Sequence, residues 1–314
     1  FNGIRSKLCK EALQQYPNAR KMDSEIMKTF LNPQTNEIIL EVGAGSGFFS
    51  GEIADKCKKL YVSDPSKDQL QEIKNLNKSN IRAIEGGAEE LNLPENSIDS
   101  IRSFGAMHHC LNKTQAFQNF QKILRPGGKL VIVDVLSGSD LAKHFDDKVA
   151  KYCITGHEVS FLSKEYFDSL CFSAGLKNRG TQNIDVKWKF KQEEEIGDFI
   201  YKLHAMTKSS IAECLQGAKD ILGVTKDDLL YCLNRPLTVF IAEKEATEDI
   251  QESQKPESKN YKNGLPINCE KCGGKMTGVG NCPYESSPAG ITYYPRCTQC
   301  RNEVTVRISY IDED

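Results

Sequence analysis

Residues 39–66 read ILEVGAGSGFFSGEIADKCKKLYVSDPS: an apolar run, a turn with glycine at 43, 45 and 47, a helical stretch, and a second apolar run closing on Asp64. A strand that enters a helix through glycines and returns as a strand needs a parallel neighbour, since parallel strands are joined by crossovers. The chain is thereby directed to an open α/β sheet with helices on both faces. Such sheets bind ligands beyond the carboxyl ends of their strands. A dinucleotide fingerprint starting at Gly43 requires Gly or Ala at position 48, and Phe48 stands there. A phosphate loop requires Gly-Lys-Ser/Thr, which is absent. Asp64 follows the first glycine by about 20 residues, a spacing that suits a carboxylate accepting from both hydroxyls of a ribose. The expected ligand is a nucleoside without a pyrophosphate; the competing reading is a tight turn that only glycine can make.

Apolar periodicity extends the alternation. Helices are expected over Asn2–Tyr16 and Lys21–Leu31, stopped by Pro17 and Pro33. Then come strand Glu37–Val42, helix Phe48–Cys57, strand Lys59–Asp64, helix Ser66–Leu76, strands Ile81–Ile84 and Ser97–Phe104, and helix Lys113–Leu124. Pro126-Gly127-Gly128 breaks that helix before Lys129–Val135, apolar enough to be buried on both faces. The last third reads as helix Ser163–Ala174, strand Ile184–Phe190, helices around Glu193–Leu203 and Ser209–Leu222, and strand Leu237–Glu243. The fold class is thus α/β, a doubly wound, mostly parallel sheet. Residues 246–266 are polar with a single aromatic and read as a flexible linker between a large domain, 1–245, and a small cysteine-rich one, 267–314.

Five segments, in order, resemble the class I S-adenosylmethionine-dependent methyltransferases, chiefly the small-molecule branch: EVGAGSG, YVSDPS, GGAEELNLPENSIDSI, SFGAMHHC and LRPGGKLVIVDV. The resemblance implies a seven-stranded Rossmann-like sheet and S-adenosylmethionine as cofactor. It implies Glu41 as the leading acid of the first motif, with Gly43, Ala44, Gly45 and Gly47 passing close to the methionine part. Asp64 would hold the ribose, Pro65 or Ser66 would lie near the adenine, Ala88 would offer its N–H to the ring, and Phe104 would lie beside the sulfonium. Relatives often carry Asp where this chain has Gly87. Its adenine contact is lost, assumed by Glu89 or another group, or replaced by water.

Methyl transfer to a hydroxyl or a protonated amine needs a base. His108 and His109 follow the fourth strand at the sheet's carboxyl edge, where an imidazole can remove a proton or, equally, shape the pocket. Asp134 could orient an acceptor or a histidine. The interruption Ser137–Ser163, with His144, Tyr152, Cys153 and His157, is expected to cover the acceptor together with the N-terminal helices. Cys110 reads as a buried thiol, and Trp188, Phe190, Phe199 and Tyr201 as core.

Of twelve cysteines, Cys269, Cys272, Cys297 and Cys300 form C-x2-C-x24-C-x2-C. Four thiolates on two tight turns suit one tetrahedral zinc, closed and structural, and the module looks like a zinc ribbon. Two disulfides or a redox pair are the alternative, and Cys282 is a fifth thiol nearby. The net charge of −2, with five basic against six acidic residues over 266–314, disfavours nucleic acid as partner and leaves a protein contact open. No apolar run reaches the ~20 residues that span a bilayer, so no membrane partner is expected. With the thiols read as reduced and no apolar secretory stretch within residues 1–16, the expected location is the cytoplasm, a signal removed ahead of Phe1 being left open. The activity expected is transfer of methyl to O, N or C of a small metabolite, such as a natural-product or cofactor intermediate. RNA or protein methylation with the ribbon presenting the substrate, or a non-catalytic scaffold, are the alternatives.

Overall fold

A computed structural model of the protein describes residues 3–227 and 229–246, and the backbone of 284–287, 290–293 and 306–309. Two compact units divide the chain, Phe1–Ala246 and Thr247–Asp314. Among the described residues no helix is long and apolar enough to cross a membrane.

Helices α1 (Ile4–Gln15) and α2 (Lys21–Leu31) precede the sheet. Then alternate β1 (Ile38–Val42), α3 (Ser50–Ala54), β2 (Lys59–Asp64), α4 (Lys67–Asn75), β3 (Ile81–Glu85), β4 (Ile98–Phe104), α5 (Lys113–Ile123) and β5 (Leu124–Asp134). The covering segment holds α6 (Asp140–His144), a π turn (Phe145–Val149) and α7 (Ala150–Tyr152). The remainder of the first unit is α8 (Lys164–Ala174), β6 (Lys177–Ile184), β7 (Lys187–Phe190), α9 (Glu194–Leu203), α10 (Ile211–Ile221), β8 (Val224–Asp227), β9 (Leu230–Asn234) and β10 (Leu237–Glu243).

Seven strands form the main sheet in the order β3-β2-β1-β4-β5-β10-β6. β1 pairs in parallel with β2 and β4, and β10 runs antiparallel to both β5 and β6. The order turns back beside β1, so its carboxyl end opens on the crevice where such sheets take ligands. Alternate residues feed two cores: Ile39, Val131, Val133 and Val239 on one face, Leu40, Ile132 and Phe240 on the other. A second, antiparallel sheet of order β7-β9-β8 places Trp188 and Phe190 against α9.

Three expectations need correction. The helix expected over Phe48–Cys57 is α-helical only over Ser50–Ala54, because Gly47 at φ +80° holds the chain in turns before it. Extended structure begins at Leu124, before the Pro-Gly-Gly, where Leu124 pairs with Ile98. The strand expected over Ile184–Phe190 is divided, Ile184 closing β6 in the main sheet and Lys187 opening β7 in the other.

In the second unit the described strands are β11 (Tyr284–Ser287), β12 (Gly290–Tyr293) and β13 (Val306–Ser309), each antiparallel to the next. Cys269, Cys272, Cys297 and Cys300 lie outside the described residues, as does the expected linker.

Candidate active site

The glycine turn is tied to the end of β2: Gly43 N and Ala44 N donate to the Ser63 carbonyl at 2.8 and 3.2 Å. Gly43 has φ +68°, and a Cβ there would meet Ala106 Cβ at 2.3 Å, so no other residue fits. Gly45, at φ +56°, has nothing within 4 Å of a Cβ and presents bare backbone to a cavity of about 410 Å³. Gly47 serves packing instead: a Cβ there would lie 3.0 Å from Leu76 Cδ1, and the residue is not part of the cavity wall.

Asp64 Oδ2 accepts from Gly45 N and Oδ1 from Ser66 N, both at 2.9 Å. Each oxygen keeps a lone pair, and the carboxylate lines the cavity. Burial raises the Asp64 pKa, against the two N–H donors, which lower it. Pro65 lines the cavity, whereas Ser66 does not: its hydroxyl caps α4, accepting from Gln69 N at 3.3 Å. Glu41 is buried and accepts from Ser50 Oγ at 2.5 Å. Desolvation pushes its pKa up to about 7, against the Ser50 hydrogen bond and the charge of Arg102, its neighbour across β1 and β4.

Gly87, Ala88 and Glu89 form the far wall. A Cβ at Gly87 would come within 2.9 Å of Glu89 Oε2, so the Glu89 carboxylate occupies the space of a longer side chain at 87. Its Oε1 accepts from Leu111 N at 2.8 Å and Asn112 N at 3.2 Å, fixing it there. Burial opposes its ionisation, but hydrogen bonds from the Cys110 thiol and these amides hold its pKa below the usual carboxylate range. Burial, then Glu89, pushes the Cys110 thiol up to about 12, which makes it a poor nucleophile.

His108, His109, His157 and His204 line the same cavity. His108 Nδ1 is 2.6 Å from Asp134 Oδ1, which also accepts from Val135 N at 2.8 Å, while Oδ2 accepts from His108 N at 3.1 Å. A carboxylate accepts only, so Nδ1 carries the proton and Nε2 is left as the basic nitrogen of a ring that lines the cavity. His109 and His157 lie 4.3 and 5.8 Å, centroid to centroid, from His108. One ring nitrogen of each of the three falls within 4.8 Å of the others, a donor set a metal ion could gather. Burial, then the neighbouring His108, lowers the pKa of His109 to about 2 and of His157 to about 3. Phe145 stacks on His157 at 5.0 Å and meets His204 at 5.2 Å. With His144 beside Phe145, all five histidines of the chain gather here.

Phe104 lines the cavity, 4.8 Å from Phe49. Arg5 from α1, Arg20 before α2, and Arg235 before β10 line it too, without a sequence signal that marked them. Arg20 lies 4.9 Å over Phe48, at the glycine turn, and pairs with Asp23 at 2.6 Å. Trp188 is buried as the core reading expects, but its ring also forms part of the wall, with Nε1 donating to Asp23 at 3.1 Å.

The topology and this turn define a class: an open α/β sheet built to hold a nucleoside cofactor at its switch point. Residues 40–132 match the family model described as a methyltransferase domain. A methyltransferase of Geobacillus kaustophilus is 25 % identical over 167 residues, 52 % of this chain and 76 % of that protein. Matches to other curated relatives take in from 4 % to 82 % of the relative's own length. The solved structure of the YcgJ protein of Bacillus subtilis superposes with a TM-score of 0.54 at 15 % identity, over 72 % of this chain and 99 % of that one. A methyltransferase of Haloferax volcanii, solved with its Trm112 activator, gives 0.52 at 12 % identity, over 78 % and 99 %. The chain is an enzyme, an S-adenosylmethionine-dependent methyltransferase.

Proposed function

We propose that this methyltransferase acts on a small metabolite, at O, N or C, with His108 as the proton-accepting group and Asp134 as its positioning residue. One observation supports the reading above others: a single cavity of about 410 Å³ contains both the glycine turn and the His108 ring. That volume lies in the ~300–1,000 Å³ range of small-molecule pockets, and the cofactor must share it, which limits the enclosed part of any acceptor to a small group.

The residues fit the cofactor. Bare backbone at Gly45 admits close approach, Asp64 retains acceptors for two hydroxyls, and Glu89 stands where an adenine amino group needs an acceptor. When bound, S-adenosylmethionine supplies an electrophilic methyl already activated by its positive sulfur. The chain's own work is to align the acceptor, exclude water and take a proton at His108 Nε2. Asp134 sets the tautomer and favours the imidazolium that forms. His109, kept neutral by burial and by neighbouring imidazoles, serves the shape of the pocket rather than proton transfer. In the second unit we retain one structural zinc on Cys269, Cys272, Cys297 and Cys300, and a protein partner as the ribbon's contact, in the cytoplasm.

The test is release of S-adenosylhomocysteine when purified protein and S-adenosylmethionine meet fractionated metabolite extract, tRNA or protein separately. Turnover confined to the metabolite fraction is expected; turnover confined to tRNA or protein would refute the assignment.

A further inference from the structure

Arg235, just before β10, is placed to select the acceptor. Its guanidinium lies 4.0 Å over the Trp188 ring and 5.6 Å from the Phe145 ring, and it lines the cavity. By surface area the residue is partly buried. Among the described residues it forms no ion pair, and its Nε is enclosed without a hydrogen-bond partner. The nearby acids are already engaged: Asp23 by Arg20 and the Trp188 indole, Asp134 by His108. An enclosed charge without a counter-ion is costly, so a position like this one is explained by a ligand that brings the counter-charge.

Two guanidiniums line the cavity near Trp188. Arg20 stands over Phe48, Phe49 and Phe104 at the glycine turn and over Trp188 at 5.7 Å, but it is already paired with Asp23. Arg235 stands with Phe145, which in turn touches His157 and His204. A planar guanidinium fork matches a carboxylate in two parallel hydrogen bonds. The flanking rings offer flat apolar surface to whatever carries that carboxylate.

We infer that the methyl acceptor is a small carboxylate with a flat, apolar body, its anionic end held by Arg235 and its body against Trp188 and Phe145. This deepens the proposed function and rests on its placement of the acceptor beside His108 in the cavity. An anion there also complements the positive sulfur of the cofactor.

Trp188 is the sole tryptophan of the chain, so its fluorescence reads this position directly. The experiment titrates the full-length protein, saturated with S-adenosylhomocysteine, with benzoate and phenylacetate and with their neutral amides. Saturable quenching by a carboxylate, with its amide weaker by about ten-fold or more, is expected, since a charged hydrogen bond is worth at least that much. Arg235→Gln should abolish that preference and Arg235→Lys should keep part of it, while both bind S-adenosylhomocysteine as the unsubstituted protein does. Equal response to acid and amide, or no saturable response to either carboxylate, overturns the inference. Loss of S-adenosylhomocysteine affinity in Arg235→Gln also overturns it, by assigning the guanidinium to the cofactor. Should the protein not bind S-adenosylhomocysteine at all, the failure belongs to the cofactor reading instead.

Discussion

Replacing Asp64 by alanine tests the nucleoside assignment without knowledge of the acceptor. The carboxylate accepts two backbone N–H bonds, from Gly45 and Ser66, and retains two lone pairs toward the cavity. Two hydroxyl donors on a charged acceptor contribute about 1.5–3 kcal/mol each, so their loss weakens the cofactor by about 10²–10⁴-fold. The two amides lose their acceptor as well, and the protein itself is destabilised by about 1–3 kcal/mol for each that stays dry. Asp64→Asn keeps one acceptor oxygen and should fall between. Calorimetric titration with S-adenosylhomocysteine reads the first effect and urea unfolding of the ligand-free protein the second. Unchanged affinity in Asp64→Ala, in a protein that remains folded, would refute the reasoning.

Three further outcomes are expected. Long-range proton–nitrogen spectra should show His108 as its Nδ1–H tautomer; Asp134→Leu should lose that signature and, by stranding the amides of His108 and Val135, about 1–3 kcal/mol per amide of stability. Burial lowers the His144 pKa to about 4, so below about 6.5 the unfolded chain takes the proton first, and the stability this group contributes is complete above that pH and lost as pH falls. Between pH 7.5 and 5.5 the protein should therefore lose about 1.4 kcal/mol more than His144→Asn does in urea; Glu41, whose folded pKa is about 7, works in the opposite sense in both proteins, its stabilisation being whole below about 4.5 and fading as pH rises. Purified protein should carry about one zinc per chain by elemental analysis, reduced in Cys269→Ser; metal-free protein with oxidised tail thiols would count against the ribbon.

The sheet was legible because its central strands are apolar runs between glycine or proline breaks, and β10 occupies the residues that periodicity marks. β6 was not, because KNRGTQNI is an edge strand with mostly exposed side chains and a glycine at φ +113°, so no apolar alternation betrays it. α3 was overextended because Phe48 and Phe49 look like a helix face, whereas the turn that Gly47 imposes runs through them and they line the cavity. The residues expected to meet the cofactor lie in contiguous motifs of the sequence. Residues 108, 145, 157, 188, 204 and 235 line the same cavity, and only the folded chain brings them together. Trp188 shows why a core reading can be right and incomplete: its ring is buried on one side and walls a cavity on the other.

β10 is the last strand of the first unit, yet it sits between β5 and β6, running against both. As the polypeptide leaves the ribosome, β5 therefore has no lasting neighbour on that side until Glu243 has emerged. The main sheet can thus close only after nearly the whole first unit has been made.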